Sequence, residues 1–179
     1  DIIDNSISAK AKNIYIYSPI NDEKIFITIL DDGEGMNDVE LFNAMKYGSN
    51  KENYCINDLG RFGLGLKSAS LSQCRILTVA SKKDNLIVAY QWNLDSVIKE
   101  REWDCLKLDE YEIENIPNIG DLKKQSQGTL VVWEDFDIGY KKSGGRIREY
   151  LCDEIDDAES HIRLVFHRFM TNNFKPIKI

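Results

Sequence analysis

Asp1 and Asn5 stand four residues apart in a stretch where Ile2, Ile3 and Ile7 recur at helical spacing. Residues four apart share one helix face. An Asn carbonyl oxygen beside a carboxylate suits a hard cation such as Mg²⁺, which takes one or two protein oxygens and keeps waters. The carboxylate one turn away could then orient or deprotonate an attacking water. Alone, Asp-x-x-x-Asn is a weak pattern, and the reading without function is favoured over it.

Asp31-Asp32-Gly33-Glu34-Gly35 follows a β-rich run directly. A carboxylate at a strand end can accept a hydrogen bond from an exocyclic amine such as that of adenine, and the two glycines let backbone approach a flat ligand. The competing reading is an ordinary acidic turn. A calcium loop is disfavoured, because the twelfth position counted from Asp31 is Phe42, where an EF-hand requires Glu.

The stretch from Gly60 through Arg61, Phe62, Gly63, Leu64, Gly65, Leu66 and Lys67 to Ser68 is the strongest single motif. Glycine-rich backbone entering a helix presents N–H groups and a positive dipole end to phosphate oxygens, with Lys67 and Ser68 to supply a charge and a hydroxyl. It is not a Walker A loop, since Leu66 separates Lys67 from the last glycine, and its glycine order, GxxGxG, is not the dinucleotide fingerprint. A glycine-rich hinge is the alternative. Further on, Gln127-Gly128-Thr129 opens a β run, where a Thr hydroxyl can bond a ligand or a bridging water.

The elements that must position these residues follow from periodicity. A helix is predicted over residues 1–11 and alternating strands over 13–18 and 24–30, with a turn at Pro19, Asn21 and Asp22 between them. Asn37 with Glu40 makes a capping box for the next helix, and Met36 with Leu41 fits a hydrophobic staple. Residues 47–62 are polar and aperiodic, with Gly48 and Gly60 at the edges, the pattern of a lid. A short helix over about 64–73 precedes strands at about 75–81 and 86–93. Residues 94–127 are read as irregular, with one strand near 101–108 and then a surface loop. A strand at 128–134 and a long helix over roughly 144–169 complete an α+β domain of residues 1–170, a two-layer α/β sandwich. Residues 171–179 are read as the start of a second unit. Without an initiator Met or a residue capping the first helix, the chain reads as a fragment.

Composition narrows the classes. The net charge of −7 repels phosphate backbones, so nonspecific nucleic-acid binding is disfavoured. Basic residues Lys141, Lys142, Arg146 and Arg148 read as a solvated helix end. Cys55, Cys74, Cys105 and Cys152 form no CxxC pair, which points to reduced thiols in the cytoplasm rather than zinc. His161 and His167 are six apart and share no helical face, so they read as packing or surface residues; Trp92, Trp103 and Trp133 read as core or strand residues. No apolar run approaches a membrane span and no signal peptide is visible.

The four motifs in this order resemble the signature of the GHKL ATPases: gyrase, heat-shock chaperones, sensor histidine kinases, MutL and MORC proteins, which share the Bergerat fold. DIIDNSISAKA looks like the N-box, DDGEGM like the adenine-binding turn, GRFGLGLKSAS like the lid-hinge motif and QGTLVVW like the late Thr strand. The hinge and the stretch HIRLVFHRF look most like bacterial MORC-like and MutL-like members. The resemblance implies a layered fold with a mixed, largely antiparallel sheet. It implies that Asn5 holds Mg²⁺ against the phosphates and Asp31 takes the adenine amine, with Gly33, Gly35 and Met36 in the turn around the base. Gly60, Gly63 and Gly65 would wrap the phosphates with Lys67 and Ser68, and Thr129 would reach adenine through water.

Asp1 stands where the family's general-base Glu is usual and is one methylene shorter; Asp4, facing away from the surface of Asn5, ranks below it. The implied activity is Mg²⁺-dependent ATP binding with slow hydrolysis, lid closure driving an ATP-dependent homodimer or remodelling of a protein or DNA partner through further segments. The alternatives are a nucleotide-sensing switch without appreciable turnover and, less favoured, a histidine kinase domain.

Overall fold

A computed structural model describes residues 1–19, 24–46, 65–100, 105–136, 144, 146–171 and 178–179. Helix α1 (Ile2–Ser8) leads into the antiparallel pair β1 (Ile14–Tyr17) and β2 (Phe26–Asp31). Helices α2 (Asp38–Met45) and α3 (Gly65–Leu71) precede the hairpin β3 (Ile76–Lys83) and β4 (Leu86–Asn93). Helix α4 (Leu94–Glu100), the short strand β5 (Leu106–Lys107), α5 (Glu110–Glu114) and α6 (Ile119–Lys124) lead to β6 (Gly128–Glu134). Helices α7 (Ile147–Val165) and α8 (His167–Met170) follow.

The six strands form one antiparallel sheet in the order β1-β2-β6-β3-β4-β5. Inserting β6 between the two early hairpins is the decisive step, because it lays the start of β6 beside the ends of β2 and β3. Strand alternation then divides the side chains between two faces. Ile27 and Ile29 of β2, Val131 of β6, Leu77 and Val79 of β3 and Tyr90 and Trp92 of β4 meet Ile2, Ile3, Leu41, Met45 and Leu151 in the main core. Leu30, Leu130, Val132, Ala80 and Ala89 face the other way, against Ile116, Ile119 and Leu122. This is the expected sandwich of helices on a sheet, with a smaller helical cover on the second face.

Local signals explain most elements. The capping box of α2 is formed, with Asn37 accepting from Glu40 N and Glu40 accepting from Asn37 N. Helix α1 ends earlier than its apolar pattern suggests: Lys10 adopts φ 62°, and Ala11 N and Lys10 N donate to the Ser6 and Ile7 carbonyls. That is a Schellman-type stop with lysine at the usual glycine position.

The region expected to be a strand near 101–108 and then a surface loop needs correction. Only Leu106 and Lys107 pair as β5 among its described residues, and the expected loop holds α5, with its own Asp109–Glu112 capping box, and α6. Pro117 and the left-handed Asn118 (φ 60°) interrupt the helical period there, so no single window shows it. The bend nonetheless carries buried Ile116, Ile119 and Leu122 onto the sheet.

At the outer edge, Lys178 bridges Asn13 in parallel, its N–H donating to Lys12 O and its carbonyl accepting from Ile14 N. Ile179 packs against the main core. Trp92 is fully buried, Trp133 half-buried in β6, and Trp103 lies outside the described residues, as do Lys141 and Lys142. His161 and His167 are exposed on α7 and α8, and Arg146 pairs with Glu149 at the start of α7. Among the described residues Cys74, Cys105 and Cys152 form no disulfide, and burial pushes the Cys74 thiol up to about 12. Among the described residues no helix is long and apolar enough to cross a membrane.

Candidate functional site

Asp31 is the last residue of β2, Thr129 is opposite it on β6, and Ser81 is opposite Thr129 on β3. Being in register, the three side chains emerge on one face of the sheet, the face that carries α1, α2 and α3. They make a polar row at one end of an otherwise apolar core, and all three are buried. Such a row survives only when its atoms find partners.

Asp31 accepts from Gly33 N at 2.9 Å and from Ser6 Oγ at 2.8 Å. Burial is the largest influence on its carboxyl and pushes it above the ordinary value of 3.8; the bonds from Gly33, Ser6 and Thr129 N–H oppose this, and Asp32 adds to it. Three donors leave one of the four lone-pair sites of the carboxylate open, so a ligand N–H donor would find a desolvated acceptor there.

The turn after Asp31 is held on both sides. Asp32 accepts from Lys12 N at 2.7 Å, Asn13 N at 2.9 Å and Asn13 Nδ2 at 2.7 Å. Although burial works the other way, those bonds hold its carboxyl below the usual range. Glu34 N donates to the Ala9 carbonyl at the end of α1. Gly33 makes that docking possible, since a Cβ there would lie 2.8 Å from Ala9 Cβ and 2.9 Å from Ala9 O. At Gly35 the backbone has φ +64° and a Cβ would overlap the Lys82 carbonyl oxygen, so glycine is required twice over. The space the glycines leave at these two positions is filled by the protein's own backbone. Met36 N then donates to Ser81 Oγ at 2.8 Å.

Helix α1 presents two polar faces. Ser6 shares the inward face with Ile2 and Ile3 and reaches Asp31, while Asn5 and Asp1 are exposed together one turn apart. Asp1 is the N-cap residue but makes no side-chain capping bond. Among the described residues no group of three His, Cys, Asp or Glu could hold a metal by itself. A divalent ion here would therefore combine Asn5 with waters and ligand oxygens, the habit of Mg²⁺; the donor set fits.

Gly65 opens α3 and Ser68 lies within it, whereas Gly60, Gly63 and most of the expected lid lie outside the described residues. Lys67 is placed differently from the expectation of a phosphate contact. Its side chain is fully buried, and Nζ donates to the Ala44 carbonyl at 3.0 Å and the Lys46 carbonyl at 2.7 Å. With Trp92 Nε1 donating to the Met45 carbonyl at 2.9 Å, the C-terminal end of α2 is capped by side chains. A cation suits that negative helix end, and the bonds tie α3 to the point where the chain leaves α2.

Two residues of the site escape a motif reading. Ser6 had a signal, a polar side chain on the apolar face of α1 beside Ile2 and Ile3. Ser81 had none, because only the pairing of β3 with β6 brings it to Thr129, with Oγ···Oγ1 at 3.2 Å.

Comparison with known proteins places the family. Residues 1–129 match the family described as histidine kinase-, DNA gyrase B-, and HSP90-like ATPase. The chain is 36% identical over 90 residues to ATPase morc-1 of Caenorhabditis elegans, which covers 50% of this chain and 10% of that protein. It is 32% identical over 89 residues to ATPase MORC2B of Mus musculus, covering 48% of this chain and 9% of that one. The matches thus span about a tenth of the length of these curated relatives. With the profile spanning residues 1–129 of 179, the chain belongs to the histidine kinase-, DNA gyrase B- and HSP90-like ATPase family.

Proposed function

We propose that this chain is the ATP-binding part of a Mg²⁺-dependent ATPase with slow turnover. The observation that carries the reading is the buried, doubly bonded carboxylate of Asp31, set in one row with Thr129 and docked against the helix that bears Asn5. In this reading Asp31 accepts from the adenine amine, and Thr129 bonds the base through water. Gly33, Gly35 and Met36 form the turn beside the base. Gly60, Gly63 and Gly65 supply backbone N–H groups to the phosphates, and Ser68 supplies a hydroxyl. Lys67 acts from beneath, holding α3 to the end of α2.

Asn5 would hold Mg²⁺, which supplies charge neutralisation at the phosphate oxygens. Asp1, on the same exposed face, would orient the attacking water. Its side chain, one methylene shorter than Glu, favours slow hydrolysis and keeps a nucleotide-sensing switch as the second reading. Closure of residues 47–62 over the nucleotide would drive dimerisation or remodelling of a partner. Residues 171–179 would relay that movement toward a second unit, since Lys178 is bonded to the edge of the sheet.

Titration calorimetry with a non-hydrolysable ATP analogue, with and without Mg²⁺, tests the proposal. Binding that strengthens with Mg²⁺ is expected, and a folded chain that binds no adenine nucleotide overturns it. Phosphate release from ATP then separates the ATPase from the switch.

A further inference from the structure

Ser81 is fully buried, belongs to none of the nucleotide motifs, and makes contact with two of them. Its Oγ accepts from Met36 N at 2.8 Å, donates to the Gly128 carbonyl at 3.0 Å and lies 3.2 Å from Thr129 Oγ1. A hydroxyl has one proton and two lone pairs. A carbonyl can only accept, so the proton of Ser81 goes to Gly128 O. One lone pair is taken by Met36 N–H. The remaining lone pair can only receive the proton of Thr129. That leaves Thr129 Oγ1, whose residue keeps 8% of its surface exposed, with lone pairs alone for a ligand.

Resting on the adenine-pocket reading above, but with Thr129 meeting the base directly because a bridging water could offer it either a proton or a lone pair, we propose that Ser81 is a positioning residue that sets Thr129 as a hydrogen-bond acceptor and so selects a purine with an amine, not an oxo group, at its 6-position. Through Met36 N the same hydroxyl fixes the height of the adenine turn over the sheet. Asp31 is a second acceptor for the same amine, so losing the constraint at Ser81 narrows the selectivity without abolishing it. With Ser81 removed, the Thr129 proton is freed and can serve an oxo group directly.

The test is the ratio of affinities for the β,γ-imido analogues of adenosine and inosine triphosphate, measured by calorimetry on this chain. The chain should prefer the adenosine form, and Ser81→Ala should shrink that preference by at least about fivefold, the scale of one hydrogen bond. In a Thr129→Val background, Ser81→Ala should change the ratio less than about twofold, since the effect runs through Thr129. A merely structural role would lower the melting temperature and leave the ratio alone. A folded Ser81→Ala chain whose ratio stays within about twofold of the parent therefore overturns the proposal. If Ser81→Ala does not fold, Ser81→Cys, near in shape with a weak hydrogen-bonding thiol, takes its place under the same criterion. Failure of the parent chain to prefer the adenosine analogue overturns the pocket reading as well, whereas a parent preference kept intact by the variant overturns the role of Ser81 alone.

Discussion

Replacing Asp31 by Asn separates the cost of the site from its use. Gly33 N is a fixed backbone donor at 2.9 Å and keeps the carbonyl oxygen of the new amide. The amide nitrogen then faces Ser6 Oγ, which can turn its proton to the Ile2 carbonyl, already 3.3 Å away, and accept instead. The variant sheds a buried negative charge and keeps partners for the Gly33 and Ser6 donors, so its fold should be about as stable as the parent's. Its binding should suffer, because a ligand amine would meet an N–H₂ group where it had met a carboxylate. A hydrogen bond to a charged group contributes about 1.5–3 kcal/mol, and about 1.4 kcal/mol is tenfold in affinity. Affinity for a non-hydrolysable ATP analogue should therefore fall at least about tenfold and up to about a hundredfold.

The pH dependence gives an independent check on the same group. Burial raises the folded Asp31 above its ordinary 3.8. The stability it contributes is therefore fully present below 3.8 and is lost as pH rises through the folded value. On acidification toward 3.8 the parent should gain stability relative to Asp31→Asn, and its nucleotide affinity should fall as the carboxylate is protonated. Calorimetry and thermal melts on both chains measure the two effects. Unchanged affinity in the folded variant would refute the assignment of Asp31 to the base.

Asn5→Ala should leave stability within about 0.5 kcal/mol, because the side chain is exposed, while removing the Mg²⁺ dependence of nucleotide binding; calorimetry at several Mg²⁺ concentrations reads this. Gly35→Ala forces a left-handed alanine into the Lys82 carbonyl and should cost about 2–4 kcal/mol of unfolding free energy in urea titrations. Lys67→Met removes both bonds to the α2 carbonyls and should cost about 2–4 kcal/mol. Its ATP-analogue affinity should change less than about threefold, well inside the scale of a lost charged bond; a larger loss at unchanged stability would put the ammonium on the phosphates.

What the sequence by itself determined was local. Turn chemistry and capping are settled within four or five residues, so the Asn37–Glu40 box, the glycine-rich turn after Asp31 and the strand opening at Gly128 were all legible. The helix face of α1 was legible too, because Ile2 and Ile3 and the outward Asn5 follow from the helical period alone. The tertiary structure alone decided which side chains meet. Strand order is a long-range choice, made when burial of two apolar faces favours laying β6 between β2 and β3, and no local pattern in β3 records it. That choice put Thr129 between Asp31 and Ser81. It also turned Lys67 from an apparent phosphate contact into the cap of α2. A lysine one residue past a glycine motif reads the same in sequence whether its ammonium reaches a ligand or two backbone carbonyls, and only packing distinguishes them. The same limit hid α5 and α6, whose short, charge-rich turns are held by the sheet they cover rather than by their own propensity.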